Sequence, residues 1–304
     1  MSKHRLKIFF ITCLILTEDF RKMPFDIKPV SSVMGARVTG LDLSQPISDT
    51  AENALKAAFL DHHLLCFESR PLSVEKFLVF ARVFGTPQLQ LLSNLQDNNF
   101  PEVSILNSTY KTQDDKPKDL AKVRLSGWHT DDSYFEKPAK ATLLQALHVP
   151  DKGGQTRFIN TRLAYERMPE AVKNNVSTLE ATHCYDTVRA VARAQKLTAE
   201  EHQKTRDVVH PLIRTHEETG RQAIYFNPNR TDHIRGKSRK ESDAILDVLY
   251  AWLIKEDFQY EHNWRRGDLL LWDNRCLLHS VNVDFPVGQR REHQRILLQG
   301  TRPV

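Results

Sequence analysis

The sequence predicts a mostly β fold with flanking helices, of the double-stranded β-helix (jelly-roll) type. Short β-branched or leucine-rich runs, bounded by glycine, proline or polar turns, fill the middle and end of the chain, and helical spacing of apolar residues occurs near its edges. The chain has 304 residues, 40% of them hydrophobic, and a single β-rich domain of about 250–280 residues is plausible at this length. No internal repeat or low-complexity linker divides it.

Three segments have the apolar spacing of helices, at residues 51–61, 74–84 and 238–254. Ser73 precedes the second segment and is a suitable N-cap, because its hydroxyl can accept a hydrogen bond from a free backbone N–H. The third segment is the longest and carries Ile245, Leu249 and Trp252 on one side. These helices are expected to flank the strands.

The predicted strands are short and apolar. They comprise residues 63–67, 142–149, 156–159, 208–213, 223–226, 269–272 and 296–299. A further strand is predicted at residues 121–128 and would end at His129. Because the two sheets of a jelly roll bring distant strands to one mouth, residues as far apart in sequence as Asp131 and His279 can lie together.

His129, Thr130 and Asp131 form the most informative short motif, and His279 is its downstream counterpart. Two imidazoles and one carboxylate suit a ferrous ion held on one face, which leaves the opposite positions open for a chelating cosubstrate and dioxygen. The spacing alone is weak evidence. With 13 histidines and 38 acidic residues in the chain, roughly one or two matches to His-x-(Asp/Glu) are expected by chance.

A second such motif occurs at His216, Glu217 and Glu218. It lies in a polar stretch that ends at Gly220, between two apolar runs, and this pattern is typical of a hairpin tip. Ligands of a buried metal should lie at strand ends inside the fold. A solvated turn is therefore the preferred interpretation of His216.

Several further motifs follow in the order of a known family. They are residues 128–134 (WHTDDSY), 140–144 (KATLL), 153–156 (GGQT) and 272–275 (WDNR), followed by His279, Arg291 and Arg295. With these motifs the chain resembles the taurine dioxygenase/2,4-dichlorophenoxyacetate dioxygenase family of Fe(II)- and 2-oxoglutarate-dependent enzymes. The resemblance is collinear from about residue 25 to residue 301.

The resemblance implies that 2-oxoglutarate is decarboxylated to succinate and carbon dioxide while dioxygen hydroxylates a second substrate. His129, Asp131 and His279 would bind Fe(II) as the catalytic centre. Thr156 and Arg291 would bind the distal carboxylate of 2-oxoglutarate, for which arginine offers a planar, two-pronged donor. The presence of Asp131 disfavours a halogenase, which would leave that coordination position for halide.

Arg291 and Thr156 each have a plainer interpretation as well. Arg291 could be a solvated charge in the basic stretch 289–295, and Thr156 could be a turn residue that leads from Gly153 and Gly154 into the next strand. The resemblance favours the binding roles.

The prime substrate is less constrained than the cosubstrate. Three residues contact taurine in the taurine enzyme, and the matching positions here carry Gln90, Ser93 and Leu125, which argues against taurine. Arg295 matches the arginine that holds the substrate's sulfonate or carboxylate, and this predicts a small anionic substrate. Gln90 and Asp132 are further candidate substrate contacts, although Asp132 could equally be a plain strand-end carboxylate.

Two classes of function are considered. The first is an active hydroxylase of a small organic acid, such as a sulfonate, sulfate ester, aryloxyalkanoate or amino-acid derivative. The second is a non-catalytic homologue that binds metal or 2-oxoglutarate. The complete set of motif residues favours the first, and among enzymes the alternative is a biosynthetic oxidase that performs desaturation or ring formation.

Charge and cysteine content exclude other classes. The net charge of +5 is spread along the chain, so a nucleic-acid surface has little support. The four cysteines, Cys13, Cys66, Cys184 and Cys276, are widely spaced and indicate buried thiols rather than a zinc site or disulfides. Cys276 is close to His279 in sequence, but core packing is its preferred role. A homo-oligomer is possible.

Residues 1–22 are predicted to be an N-terminal extension outside the fold, and the dioxygenase-like domain to span residues 23–304. A basic start followed by the apolar run 8–16 imitates a signal peptide, but no cleavage motif follows. The run is too short for a membrane-spanning helix. Met23 is the preferred initiator and export the alternative. A cytoplasmic enzyme is expected, because a ferrous, 2-oxoglutarate-fed site needs cytoplasmic reductants and metabolites.

Overall fold

The computed structural model describes residues 24–190 and 194–304. This part of the chain is mostly sheet with a few helices, as the sequence predicts. The helices are α1 (Asp49–His62), α2 (Val74–Ala81), α3 (Thr161–Glu166), α4 (Glu170–Val176), α5 (Ala199–Gln203) and α6 (Arg239–Leu253).

The strands are mostly four or five residues long. They are β1 (Asp26–Pro29), β2 (Ala36–Thr39), β3 (Leu64–Phe67), β4 (Val103–Asn107), β5 (Ala141–His148), β6 (Thr156–Asn160), β7 (Glu180–His183), β8 (Val208–Pro211), β9 (Ile213–Thr215), β10 (Gln222–Ile224), β11 (Thr231–Ile234), β12 (Gln259–His262), β13 (Leu269–Asp273), β14 (Leu277–Val281) and β15 (Glu292–Leu298).

One large sheet and several small ones contain these strands. The seven-stranded sheet has the order β1-β2-β3-β13-β5-β15-β4, in which β2 and β3 pair in parallel and the other neighbours are antiparallel. A three-stranded sheet has the order β12-β6-β14, another has the order β11-β7-β8, and β9 pairs with β10 as a hairpin. Strands that are neighbours in these sheets, such as β3 and β13 or β6 and β14, thus come from widely separated parts of the chain.

Alternation of side chains along the central strands produces the layers. Leu65 and Leu269 belong to a core cluster that includes residues of α1 and α2. Leu64 and Trp272, on the same two strands, belong to a different cluster with Phe158 of β6. Since successive residues of a strand point to opposite faces, helices cover one face of the large sheet and the small sheet β12-β6-β14 covers the other.

The helix predictions are confirmed with shifts at the ends. Ser73 caps α2, with its hydroxyl accepting a hydrogen bond from the N–H of Lys76, and Ser238 forms a reciprocal capping box with Glu241 at the start of α6. Helix α2 ends at Ala81, because residues 82–84 continue only as hydrogen-bonded turns. Helix ends commonly tighten in this way.

The strand predicted at residues 121–128 is wrong. The segment instead forms two short 3-10 turns, at Leu120–Lys122 and Arg124–Ser126. Side chains close these turns locally: Asp119 accepts from the N–H of Ala121, and the hydroxyl of Ser126 donates to the carbonyl of Val123. Such local bonds compete with strand pairing. The predicted strand 208–213 is also split into β8 and β9.

Cys66 and Cys276 are buried free thiols, and Cys184 is a partly buried one. Cys276 lies in the core cluster of Leu64 and Trp272, so its predicted packing role is confirmed. Cys13 and the extension 1–22 lie outside the described residues. Across 24–190 and 194–304, every helix is too short or too polar to cross a bilayer.

Candidate active site

The backbone holds His129 and His279 side by side. His279 lies in β14, and His129 follows the turns of residues 120–126. The N–H of each histidine donates to the carbonyl oxygen of the other, over 3.0 Å from His129 and 2.7 Å from His279. The ring centroids are 4.1 Å apart. Two segments far apart in sequence are therefore joined at one point.

Asp131 completes a cluster of three side chains that can bind metal. The ligand atoms of His129, Asp131 and His279 all lie within 4.8 Å of one another, and Nε2 of His279 is 3.9 Å from Oδ1 of Asp131. Nδ1 of His129 lies 2.9 Å from the carbonyl oxygen of Gly127, which leaves Nε2 for a ligand. The predicted residues have the donor types and spacing that a divalent ion needs.

Burial and mutual proximity favour the metal-binding protonation states. Burial, reinforced by His279, lowers the pKa of His129 to about 3, and burial also lowers the pKa of His279. Burial opposes ionisation of Asp131, but His279 and Arg295 outweigh it and lower the pKa of this carboxyl to about 2. Neutral imidazoles and an ionised carboxylate are the forms that bind a metal.

Arg291 is a buried guanidinium with spare donors. Its Nε donates to the carbonyl of Gly154 and its Nη1 to the hydroxyl of Ser108, each over 3.1 Å. Nη2 is buried, and nothing in residues 24–190 or 194–304 accepts its hydrogen bonds or pairs with its charge. Burial lowers the pKa of Arg291 to about 10. An unpaired buried cation is costly, so the site fits an anionic ligand such as a carboxylate.

Gly154 shapes the surroundings of Arg291, and Thr156 follows two residues later at the start of β6. Gly154 has a φ of +74°, and a Cβ there would lie 3.2 Å from Cδ and Nε of Arg291, so a larger residue would crowd the guanidinium. Thr156 is buried at the start of β6, and its hydroxyl accepts a 3.0 Å bond from Nε1 of Trp264. The hydroxyl hydrogen of Thr156 is thus available to a ligand.

Arg295 lies between the candidate metal ligand Asp131 and Gln90 in the cavity wall. Its Nη1 is 3.8 Å from Oδ1 of Asp131, and its Nη2 donates to Oε1 of Gln90 over 3.0 Å. Gln90 also accepts from the hydroxyl of Ser104 and donates to the carbonyl of Glu102. Gln90 lines the cavity, and protein groups engage its amide, which orients Arg295. Its contact with a substrate stays a prediction.

Asp132 also lines the cavity. It has a left-handed backbone conformation, with a φ of 57°, and its carboxylate accepts bonds of 2.6 Å from Nε2 of Gln88 and 2.9 Å from the hydroxyl of Tyr134. Burial, followed by the nearby Asp131, raises the pKa of Asp132. Two donors thus hold Asp132 in the cavity wall, and its contact with a substrate stays a prediction.

The cavity beside these residues has a volume of about 240 Å³. Polar groups of His129, Asp131, Asp132 and Arg295 lie on its walls. The rest of the lining is largely apolar and includes Leu91, Leu92, Leu95, Leu106, Leu125 and Leu297. Leu125 is therefore a wall residue, whereas Ser93 is bonded to Glu201 through both its backbone N–H and its hydroxyl.

Arg230 is a cavity residue that the sequence analysis missed. Its guanidinium carbon lies 4.6 Å from the ring centroid of Tyr134 and 4.5 Å from that of Tyr185, and its Nη1 donates to the carbonyl of Tyr185. Both tyrosines also line the cavity. No motif marks Arg230, which precedes the unpredicted strand β11.

Asn227 was missed as well. Its side-chain amide donates to the carbonyl of Thr130 over 2.8 Å and to the hydroxyl of Ser133 over 2.7 Å. These bonds fasten both ends of the loop that carries Asp131. Only the folded chain brings Asn227 to this loop, so sequence patterns could not have identified it.

The prediction for His216 is half right. Strands β9 and β10 form the expected hairpin. Among the described residues, two groups of side chains could hold a metal, His129/Asp131/His279 and Cys66/His262/Asp268, and His216 belongs to neither. The solvated environment is wrong, because His216 is only 3% exposed and its Nε2 lies 2.9 Å from Oδ2 of the buried Asp273. The hairpin folds back onto the turn after β13, so a polar sequence was mistaken for a solvent-facing one.

Comparison with known proteins agrees with this geometry. The chain is 33% identical over 282 residues to an (S)-phenoxypropionate/alpha-ketoglutarate-dioxygenase of Sphingobium herbicidovorans, covering 90% of this chain and 94% of the relative. It is 27% identical to an alpha-ketoglutarate-dependent sulfate ester dioxygenase of Pseudomonas putida, covering 93% and 92% of the two chains. Alpha-ketoglutarate is another name for 2-oxoglutarate.

Solved structures have the same fold. A taurine dioxygenase from Burkholderia xenovorans superposes with a TM-score of 0.78 at 27% identity, covering 93% of each chain. AAD-2 in complex with Mn(II) and N-oxalylglycine superposes with a TM-score of 0.76 at 26% identity, covering 92% of this chain and 99% of that one. The sequence profile described as "Taurine catabolism dioxygenase TauD, TfdA family" matches residues 26–297. The chain therefore belongs to the TauD/TfdA dioxygenase family.

Proposed function

We propose that this protein uses Fe(II), 2-oxoglutarate and dioxygen to hydroxylate a small organic anion, releasing succinate and carbon dioxide. Its family membership makes it a 2-oxoglutarate-dependent dioxygenase; the metal, the residue roles and the substrate class are the proposal. The observation that carries it is the cluster of His129, Asp131 and His279, whose ligand atoms lie within 4.8 Å of one another beside an open cavity.

His129, Asp131 and His279 would hold the ferrous ion. Two imidazoles and one carboxylate are the donor set of non-haem ferrous oxygenases, and three protein ligands leave positions for other groups. The bound ion would activate dioxygen, which is the oxidant for C–H hydroxylation, and decarboxylation of 2-oxoglutarate to succinate would supply two of the four electrons that dioxygen takes up. The protein's contribution is to position the ligands, exclude water and orient the substrate.

Arg291 and Thr156 would bind the distal carboxylate of 2-oxoglutarate. The support is the buried Nη2 of Arg291, which nothing in the described chain accepts from, and the available hydroxyl hydrogen of Thr156. A carboxylate would supply the missing countercharge and accept both donors. The names of the relatives, which include alpha-ketoglutarate, support the same cosubstrate.

The charges of the cavity support an anionic substrate. Arg295 and Arg230 bring two guanidiniums to its walls, and among the described lining residues Asp132 is the one carboxylate that is not a candidate metal ligand. The leucine-rich walls suit an apolar body attached to the anion. Aryloxyalkanoates, sulfate esters and sulfonates, which the relatives' names include, have this chemistry.

We infer a double-stranded β-helix architecture from the large sheet packed against the small sheet that carries His279. We also infer that the enzyme acts in the cytoplasm, where 2-oxoglutarate and reductants are supplied. Asp131 supplies the carboxylate ligand that a halogenase would lack.

The test is anaerobic loading with Fe(II) and 2-oxoglutarate, followed by exposure to oxygen and ascorbate with a panel of aryloxyalkanoates, alkyl sulfates and alkyl sulfonates. Mass spectrometry is expected to find one substrate that gains an oxygen atom in step with succinate. Loss of two hydrogens without oxygen gain would indicate a desaturase or ring-forming oxidase. Binding of 2-oxoglutarate with no succinate under any condition would indicate a non-catalytic homologue.

A further inference from the structure

The two carboxylate oxygens of Asp131 have different surroundings. Oδ2 accepts a 2.6 Å hydrogen bond from the hydroxyl of Thr142 in β5. Oδ1 instead faces Nε2 of His279 at 3.9 Å and Nη1 of Arg295 at 3.8 Å. One oxygen is therefore fastened to the large sheet, and the other faces the space between the candidate metal ligands.

Residues at the connection between β13 and β14 hold Thr142 in place. Its hydroxyl oxygen accepts a 2.8 Å bond from Nδ2 of Asn274, and Oδ1 of Asn274 accepts a 2.9 Å bond from Nε1 of Trp272. The side chains of Thr142, Asn274 and Trp272 are all buried. The carbonyl of Asn274 also accepts a 2.8 Å bond from the hydroxyl of Thr130, next to Asp131.

The indole N–H of Trp272 sets the donor and acceptor of each hydrogen bond in the series from Trp272 to Asp131. An indole N–H can only donate, so Asn274 must present its oxygen to Trp272 and its NH₂ group to Thr142. The hydroxyl of Thr142 has then accepted one bond and has a single hydrogen left to donate. Oδ2 of Asp131 receives that hydrogen.

We propose that Thr142 is a positioning residue of the metal site, which Asn274 and Trp272 hold in its donating orientation. By occupying Oδ2, it presents Asp131 to the metal through Oδ1 alone. The proposal rests on the metal role of Asp131 proposed above. Trp272 contributes a second time, because its ring lies 4.8 Å from the ring of His279 and thus steadies another candidate ligand.

A buried threonine that merely stabilised the fold would behave differently from a positioning residue. Removing a purely structural hydrogen bond lowers the melting temperature but leaves the metal affinity of the folded protein unchanged. Removing a bond that orients a ligand weakens metal binding, and restoring a hydroxyl at the same position restores it. The affinity for a divalent ion, measured without turnover, separates the two roles.

The experiment compares Thr142→Val, which keeps the shape and removes the hydroxyl, with Thr142→Ser, which keeps the hydroxyl. Mn²⁺ binding to the metal-free full chain is measured by the electron paramagnetic resonance of free Mn²⁺. We expect Thr142→Val to weaken binding about 10- to 100-fold and Thr142→Ser to remain within about threefold of wild type. The visible spectrum of bound Co²⁺ should change in Thr142→Val only.

Thr182→Val is the matched control, because Thr182 is also a buried strand threonine and lies in β7, outside the site. It should bind Mn²⁺ as wild type does. Unchanged Mn²⁺ affinity and Co²⁺ spectrum in folded Thr142→Val would overturn the proposal. Equal weakening in Thr142→Val and Thr142→Ser would also overturn it, since packing rather than the hydroxyl would then be the cause.

Trp272→Phe tests the positioning role of Thr142 if Thr142→Val fails to fold. It removes the N–H and so allows Asn274 to turn its amide around, and we expect Mn²⁺ binding to weaken by about two- to tenfold. Unchanged affinity in this variant would contradict the imposed bond direction. If wild type bound no divalent metal, the proposed function itself would fail, which is distinct from normal binding in every variant.

Discussion

The two His-x-acid motifs of this chain have similar sequences but differ in how many of their side-chain atoms already have hydrogen-bond partners. At His129 and Asp131, one carboxylate oxygen faces His279 and the cavity. At His216, Nε2 bonds to Asp273 and Nδ1 accepts from the backbone N–H of Glu218 over 3.2 Å, so both ring nitrogens are used. The comparison teaches that burial does not distinguish a candidate metal ligand from a structural histidine. The distinguishing feature is a ring nitrogen that has no hydrogen-bond partner and can still bind a metal.

The charges around the two motifs differ in the same way. The buried Asp273 and Arg275 pair with each other, and Glu217 and Glu218 pair with Arg275 from the hairpin. That region neutralises itself. In the described chain, neither Arg291 nor Arg230 has a carboxylate within ion-pair distance, and Arg230 lines the same cavity as His129 and Asp131. These two guanidiniums are therefore suited to receiving anions from solution.

The largest effect is expected from removing any one of the three candidate metal ligands. His129→Ala, Asp131→Ala and His279→Ala should each abolish turnover and weaken Fe(II) binding by more than about 100-fold, since residues that merely orient a ligand already contribute roughly 10- to 100-fold. Iron binding and succinate formation are the measurements. Near-normal iron affinity in any one variant would remove that residue from the site.

Arg291→Lys tests the first of the uncompensated arginines. A point charge would replace a planar fork, and the apparent KM for 2-oxoglutarate should rise about tenfold or more, as expected for loss of one charged hydrogen bond. Arg295→Ala should instead impair the prime substrate and leave uncoupled 2-oxoglutarate decay measurable. An unchanged 2-oxoglutarate constant in Arg291→Lys would show that the role is misassigned.

Arg230→Gln tests the second cation of the cavity. It should raise the KM for an anionic substrate about tenfold, because a charged donor becomes a neutral one, while the KM for 2-oxoglutarate stays unchanged. Arg302→Gln is the control, since Arg302 is exposed and pairs with Glu136 on the surface. If substrate KM responds equally to both changes, the effect is long-range charge rather than contact.

His216→Ala should spare the metal and weaken the fold. Loss of the buried bond to Asp273 is expected to lower the free energy of unfolding by about 2 kcal/mol. Fe(II) affinity and kcat should remain close to wild type. Denaturant unfolding and iron titration on the same preparation provide the comparison, and a loss of iron affinity without loss of stability would reverse the assignment of the two motifs.

The smallest effect is expected from Glu217→Gln, which should change how the stability of the fold depends on acidic pH. Burial raises the pKa of Glu217, but Arg275 and Arg214 outweigh it and lower the pKa to about 2, from 4.5. Because the folded pKa lies below the unfolded one, Glu217 stabilises the fold above pH 4.5, and this contribution is lost as the pH falls towards 2. Glu217→Gln should therefore make the acid limb of unfolding shallower, and an identical limb would contradict this ion pair.

Motif order in the sequence was sufficient to predict that His129, Asp131 and His279 lie together, whereas their binding of a metal and the cosubstrate role of Arg291 stay predictions. His129, Asp131, His279 and Arg291 each combine a distinctive residue type with a fixed place in the family pattern, and the structure brings the three ligands together. Their chemistry depends on side-chain type, which the sequence states directly. The long helix at Arg239–Leu253 was equally predictable, because its periodicity and its capping serine are local features.

Other features depended on side-chain contacts that the sequence pattern does not reveal, most of them between distant segments. Gln90 was expected to touch substrate, but Ser104 and Arg295 occupy its oxygen. The segment 121–128 resembled a strand, but its own side chains close turns. Arg230 has no motif and became a cavity residue only because Tyr134 and Tyr185 hold it there. None of these partners is adjacent in sequence to the residue that it fixes, except in the turns.

The sequence by itself determined which side chains could bind a metal and a dicarboxylate, because donor type and charge belong to the residue. Tertiary structure alone decided which of the two motifs keeps free donor atoms. His216 is occupied by Asp273, and Asp131 is fastened at only one oxygen by Thr142. Hydrogen-bond capacity is a short-range property in space, and the atoms that use it up come from strands far apart along the chain.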